Sequence, residues 1–271
     1  MIDQKLMASL RKGQERIMGF EIQKAGLWKR AAAFLLDAVL LSIVIAGLLS
    51  VLTSLSGYDR KAEQMQEKYD AYSEQYGISL GQSEEAYNAL SEADQEKYIA
   101  AYNALTSDEE ALAIYREVMR LSLLCISLSI FIAFALLEFL VPLLLKEGRT
   151  LGKKLFGLCV VHTNCVRLET GALFVRTFLG KFTVETMIPV LVLMLLYYGA
   201  IGFPGMMLLL VLLLAQLILL IATQYGQPIH DLFAKSAVAD YQSQPIYDTA
   251  EALDAARSKK AAEAARFVHQ D

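Results

Sequence analysis

The chain has 271 residues, 55% of them hydrophobic and 20% charged, with a formal net charge of −4; its mean hydropathy is +0.39. That balance is too apolar for an ordinary soluble domain and points to membrane spans joined to a substantial water-exposed part. No nucleic-acid partner is expected.

Before the first apolar stretch the chain carries Lys5, Arg11, Lys12, Arg16, Lys24, Lys29 and Arg30 but no apolar core of a secretion signal. The first span is therefore expected to remain in the mature protein. Leu10–Lys29 mixes these cations with Ile17, Met18, Phe20, Ile22, Leu27 and Trp28. It reads as an amphipathic segment on the inner leaflet, with Trp28 at headgroup level.

Ala31–Leu55, Leu121–Leu145, Phe182–Ala200 and Met206–Thr223 each approach or exceed the ~17–25 residues that cross a bilayer as a helix. The expected fold is an all-α integral membrane protein, a four-span helical bundle. Its third span is short, contains Pro189 and begins beside Lys181 and Glu185, so a re-entrant or tilted segment is an alternative there.

Between spans one and two lies a polar, Tyr-rich insert over 56–115 with a weak internal echo, Glu85-Ala-Tyr-Asn-Ala-Leu90 and Ala100-Ala-Tyr-Asn-Ala-Leu105. Each copy is followed by a hydroxyl three residues ahead of a carboxylate, Ser91 to Asp94 and Ser107 to Glu110, a pattern that satisfies free amides at a helix start. Gly77 and Gly81 break the chain after a first helix of about Asp59–Gln75. An extracytoplasmic cap of two or three helices is predicted, with Tyr and Leu forming its small core and the tyrosines acting as packing residues.

Between spans two and three, Gly148-Arg-Thr-Leu-Gly-Lys-Lys-Leu-Phe-Gly157 precedes Leu158-Cys-Val-Val-His162, the turn candidate Thr163-Asn164, and Val166-Arg-Leu168. This predicts a basic, membrane-hugging segment that meets anionic headgroups, then a short cytoplasmic β-hairpin. The spacing is not that of a phosphate-binding loop, and no soluble strand precedes it. The tail over 241–271 reads as a solvated helix. The domains are thus 1–29, the transmembrane domain 30–55 with 116–240, the insert 56–115 and the tail 241–271.

Lysines and arginines crowd the N-terminal segment, the loop Lys146–Lys181 and the tail, so both termini and that loop are expected on the cytoplasmic face of the cell membrane. Cys125 falls in a span and Cys159 and Cys165 on the cytoplasmic side, where thiols stay reduced. His162, His230 and His269 are scattered and no cysteines are paired for zinc, so no metal or cofactor is expected. No arrangement for nucleophilic catalysis stands out, and an enzyme is not expected.

Ionisable residues mark the same ends of the spans: Arg30 and Asp37 in the first, Glu138 in the second, Arg176, Lys181 and Glu185 at the third, His230 and Asp231 after the fourth. A carboxylate at mid-span costs ~2.5–3.5 kcal/mol, less near the interface, so each calls for a partner or hydrated surroundings. Lys181 and Glu185, four residues apart, are expected to pair on one helix face, and Gln216 to hold helices together. Arg30, Asp37 and Asp231 are expected to form one coupled network. Two readings stand. The charges lock the bundle, or Arg30, Asp37, Glu138, Arg176, His230 and Asp231 form a site for an ion or small polar solute open to the cytoplasm.

Trp28-Lys-Arg30 with Asp37, the run Gly148–Leu158, Arg176, and His230-Asp231-Leu-Phe-Ala234 before an apolar strand-like end resemble the RDD family of membrane proteins. The resemblance covers about Gly26–Asp240 apart from the insert, whose long helical form is similar to that of Gram-positive anaerobes. The Arg and two Asp that name the family fall by motif position on Arg30, Asp37 and Asp231. The resemblance implies a small multi-span domain suspected of transport. Asn164-Cys165 and Lys235-Ser236 depart from the Asp-Gly-like turn and the Gly-Thr usual there. No inverted repeat is visible and four spans are few for alternating access, so transport implies a homodimer or a partner membrane protein.

Overall fold

In the computed structural model, which describes residues 21–145 and 148–268, four helices are long and apolar enough to span a membrane. They are α1 (Leu27–Ser56), α5 (Glu109–Leu145), α7 (Thr170–Tyr197) and α8 (Phe203–Ala222). Two of them begin about twelve residues before the expected spans. Helix α5 starts within the insert, and α7 starts before Arg176 and runs unbroken past Pro189. Most of the expected amphipathic segment, Leu10–Phe20, lies outside the described residues, as does Lys146.

Helices α5 and α7 tolerate their prolines by the same device. Helix α5 widens to π geometry over Ala135–Leu140 and α7 over Val175–Met187, and in each a proline follows two residues later, Pro142 and Pro189. Proline lacks the N–H that an α-turn directs at the carbonyl four residues back, and its ring crowds that carbonyl. The wider turn makes room. The carbonyl orphaned by Pro142, that of Glu138, accepts instead from Thr177 Oγ1 of α7 at 3.0 Å. Phe131 and Phe139 of α5 interleave with Phe174, Phe178 and Phe182 of α7, ring centroids 5.3–5.9 Å apart.

The chain forms two compact units. The first runs up to Val44 and resumes at Phe131; the second is Ile45–Ile130. In the first, β1 (Leu158–His162) pairs antiparallel with β2 (Ser236–Asp240) in the register Leu158↔Asp240 to His162↔Ser236. This corrects the expected hairpin. The turn at Thr163-Asn164 is present, but Val166–Leu168 contributes a single bridge to β1, Val161↔Arg167, and another to Tyr247, and the ladder goes to the segment beyond span four. The reason is burial: β1 is covered on both faces, by Ala33, Leu168 and Leu173 on one and by Ile22 and Cys165 on the other. Such a strand needs an apolar partner, and Ser-Ala-Val-Ala supplies one. Ile22 therefore packs on the sheet, while Trp28 is 87% exposed. Short helices α6 (Leu151–Leu155) and α9 (Ile229–Phe233) precede the strands, and α10 (Ala250–Val268) closes the chain.

In the second unit, α2 (Tyr58–Tyr76), α3 (Glu84–Asn88) and α4 (Glu92–Ser107) lead into α5. Gly77, at φ +63°, ends α2 with its N–H on Glu74 O, and the N–H of Ile78 reaches Ser73 O, the left-handed close that glycine adopts without strain. Ser91 caps α4 as expected, accepting from Asp94 N. The cap of α5 is Asp108 and not Ser107, because Ser107 still belongs to α4 and turns its hydroxyl back to Asn103 O. Met65, Leu80, Ala101, Leu105, Ala111 and Ile114 form the core, with tyrosines packed around them.

Candidate functional site

The costly carboxylate of span one finds its partners 113 residues away. Asp37 accepts from Thr150 Oγ1 through Oδ2 and from Gly152 N at 2.7 Å through Oδ1. Thr150 in turn accepts from Lys153 N, so threonine and aspartate together cap the start of α6, where free amides favour negative charge. The approach leaves no room for a side chain: a Cβ on Gly152 would lie 2.3 Å from Ala33 O and 2.9 Å from the Asp37 carboxyl. That contact accounts for the Thr-Leu-Gly-Lys run. Lys153, buried, donates to Thr150 Oγ1 at 3.2 Å and lies 3.8 Å from Asp37 Oδ2. Burial first, then repulsion from Lys181 and Arg176, lowers its amine to about 8 against the pull of Glu138 and Asp37.

Glu138, in the π segment of α5, holds Lys181 of α7 at 2.7 Å. Lys181 thus does not pair with Glu185 as expected. The four-residue spacing stacks two side chains on an α-helix, whereas both lie in the π segment of α7, where the turn is wider and their directions diverge. Glu185 turns instead to α9, accepting the backbone N–H of His230 at 2.9 Å and meeting its Nδ1 at 2.7 Å; Gln216 of span four also hydrogen-bonds Glu185.

The most enclosed contact joins Arg176 Nε to Asp231 Oδ1 at 2.8 Å, with side chains 2% and 1% exposed. Ser236 donates to the same Oδ1 at 2.6 Å. Arg176 Nη2 lies 3.0 Å from His230 Nε2. A guanidinium only donates, so Nε2 must accept and the proton sits on Nδ1, facing Glu185. The imidazole is therefore neutral, consistent with burial pushing His230 below its ordinary value; Asp231 is held well below the carboxylate range by Arg176 against the opposing effect of burial. Gly180 makes the fit possible, since a Cβ there would stand 2.4 Å from His230 Cβ and 2.5 Å from its Cα.

Arg30 departs from expectation. Among the described residues its hydrogen bonds go to the carbonyls of Tyr225, at 3.2 Å, and Gly226, at 2.6 Å, closing the turn after span four. Arg30, Asp37 and Asp231 occupy three separate seats, although Asp231 still acts on Arg30 through its charge. Together the array holds four carboxylates (Asp37, Glu138, Glu185, Asp231) and four cations (Arg30, Lys153, Arg176, Lys181), a balance suited to apolar surroundings. Two acceptors stand outside it: Glu138 Oε2 and Asp231 Oδ2 are buried with no hydrogen-bond partner among the described residues. There, too, no three His, Cys, Asp or Glu side chains converge on a metal position.

A family model described as the RDD family matches residues 24–235. The chain belongs to the RDD family. With its four apolar helices, this makes it a multi-pass integral membrane protein, and the matched stretch contains all eight charged members of the array. No curated protein and no solved structure matches the chain. Thr150, Gly152, Lys153 and Gly180 were not singled out from the sequence as site residues. A usable signal was present in the paired Glu138-x-x-x-Pro142 and Glu185-x-x-x-Pro189, each setting a carboxylate four residues before a proline inside a span.

Proposed function

We propose that the buried array binds an ion or small polar solute and passes it across the membrane. Supporting this reading are the two buried carboxylate oxygens that no described donor fills, Glu138 Oε2 and Asp231 Oδ2. A buried acceptor without a donor bears its full desolvation cost, and a proton, a cation or a water chain relieves it. The excess of Lys and Arg puts both termini and the loop Lys146–Lys181 on the cytoplasmic side, with exposed Lys154 and Leu155 against anionic headgroups. Four spans leave a path to be completed by a second copy or a partner membrane protein. The protein has no catalytic role in this reading.

The competing reading, a helix lock without transport, is favoured by the closed contacts of Arg176 with Asp231 and of Asp37 with Gly152. Vesicles containing the purified protein and a pH-sensitive dye, pulsed with sodium or potassium, separate the two. For the transport reading, a Glu138→Gln protein that stays folded should lose the cation-driven pH change, although stranding Lys181 lowers its thermal midpoint below that of the parent. Wild-type vesicles that respond no more than empty ones would sink transport of these ions, and a folded Glu138→Gln protein with full flux would remove Glu138 from the path.

A further inference from the structure

We propose that a tyrosine-lined cavity in the second unit binds an organic cation of the quaternary or alkylated ammonium class. The cavity, of about 260 Å³, is lined by Gln82, Glu84, Tyr87, Tyr98, Ile99 and Tyr102. Tyr87 and Tyr102 are the equivalent tyrosines of the two echoed hexapeptides, so the one repeat in the chain brings its aromatic position twice to the same place. Core burial does not account for them. The core of this unit takes up Tyr69, Tyr72, Tyr76, Tyr98 and Tyr115, whereas Tyr87 and Tyr102 stand outside that cluster and Tyr102 is 48% exposed.

Tyr98 links core and cavity. Its ring centroid lies 5.0 Å from that of Tyr87 at 59°, and 6.5 Å from that of Tyr102 with the planes nearly parallel at 5°. Three tyrosine rings thus border one small space, and the negative quadrupole of a ring face attracts a cation. Glu84 is the only charged residue in the lining, and it adds attraction of the same sign. Gln82 Nε2 is buried without a hydrogen-bond partner among the described residues, a donor available to a hydroxyl or carboxylate carried by the ligand.

The lining also selects among ligands. An anion would face Glu84 and the ring faces, while a small metal ion needs six or more oxygen ligands or retained waters. A neutral apolar molecule would gain nothing from Glu84. An alkylated ammonium combines charge with apolar methyl groups and loses little hydration, which matches rings and carboxylate together.

Titration calorimetry of the full chain in phosphatidylglycerol nanodiscs tests the assignment, with tetramethylammonium as probe and 3,3-dimethyl-1-butanol as a neutral control of similar shape. The expected result is saturable binding of tetramethylammonium in the range of about 1–10 mM, and at least about tenfold weaker binding of the alcohol. Tyr102→Leu should weaken the cation by about tenfold and Tyr102→Phe by no more than about twofold, because the ring face and not the hydroxyl makes the contact. Both replace a half-exposed side chain and leave the core intact. Repeating the titration in phosphatidylcholine nanodiscs identifies the source: weaker apparent binding marks a lipid headgroup as the natural occupant, unchanged binding a soluble ligand. Equal affinity for the alcohol, no saturation below about 100 mM, an unaffected Tyr102→Leu protein, or a Tyr102→Phe loss as large as that of leucine would each overturn the proposal.

Discussion

Two clusters of charge in this protein use the same chemistry in opposite surroundings. In the second unit Lys68 bridges Asp108 at 3.1 Å and Glu110 at 2.6 Å, and the Glu110 side chain is 74% exposed. In the first, Arg176 meets Asp231 at a similar distance with both side chains almost wholly enclosed. Water competes for the first cluster and is excluded from the second, so equal geometry has unequal consequences. The difference shows in the partners recruited. The partly exposed lysine is content with two carboxylates, whereas the enclosed pair draws in Ser236 and His230, and Glu185 in turn holds His230.

The largest effect that could break this contrast comes from removing one enclosed partner. Asp231→Asn strands the Arg176 charge, and a loss of about 3–5 kcal/mol is expected, read as a fall in the thermal midpoint in detergent micelles. The double change Arg176→Met/Asp231→Leu removes both charges and should cost clearly less than the two single changes summed. Simple additivity would place the pair on the level of the exposed cluster.

Lysine titration gives the next test, because the two regions move their lysines in opposite directions. Lys153 is lowered to about 8 by burial, while Lys68 is raised by its bonds to Glu110 and Asp108. Between pH 8 and 10.5 the unfolded chain still holds a proton that folded Lys153 has shed, so stability rises with pH across that window and is flat below it. The full gain is about 3 kcal/mol. Lys68 acts with the opposite sign: its contribution is complete below the unfolded value and fades as pH climbs through the raised one. Unfolding midpoints from pH 7 to 10 should therefore rise for the parent, and Lys153→Met should flatten the rise. A parent protein that loses stability over this range refutes the assignment.

A smaller effect, about 1–3 kcal/mol, is expected for Gly180→Ala, since the added methyl meets the backbone of His230 and α9 must shift. The same alanine at Gly171, a helical position with open space around it, should cost nothing and gain up to about 1 kcal/mol. A Gly180→Ala protein as stable as the Gly171→Ala control would show that α9 is not seated as closely as the enclosed cluster requires.

How much of this was legible in the sequence differs between the same two regions. The insert announced its helices locally: Ser91 caps where its spacing with Asp94 placed it, and Gly77 ends α2 close to the expected break. The charged array could be read only as cost. The apolar setting of Asp37 showed that partners were needed, but Thr150 and Gly152 are supplied by a distant loop. The strand Leu158–His162 pairs with a segment beyond span four for the same reason. The four-residue spacing of Lys181 and Glu185 implies a pair only on an α-turn, while the prolines that accompany the π geometry stand in the sequence at positions 142 and 189.

The smallest effect sharpens the comparison from its exposed side. Lys68→Ala removes both contacts of its cluster, yet Asp108 retains its role at the start of α5 by accepting from Glu110 N and Ala111 N, and Tyr72 still donates to its Oδ2. Neither carboxylate is left buried without a donor. A shift of no more than about 2 °C in the thermal midpoint is expected. Because the lost attraction acts through water, it should vanish at ~1 M salt, where the screening length is ~3 Å. The loss in Asp231→Asn should persist under the same salt, since ions do not reach the enclosed pair. If salt abolished both effects, the array would be open to water throughout, and the distinction between the two regions would be one of degree.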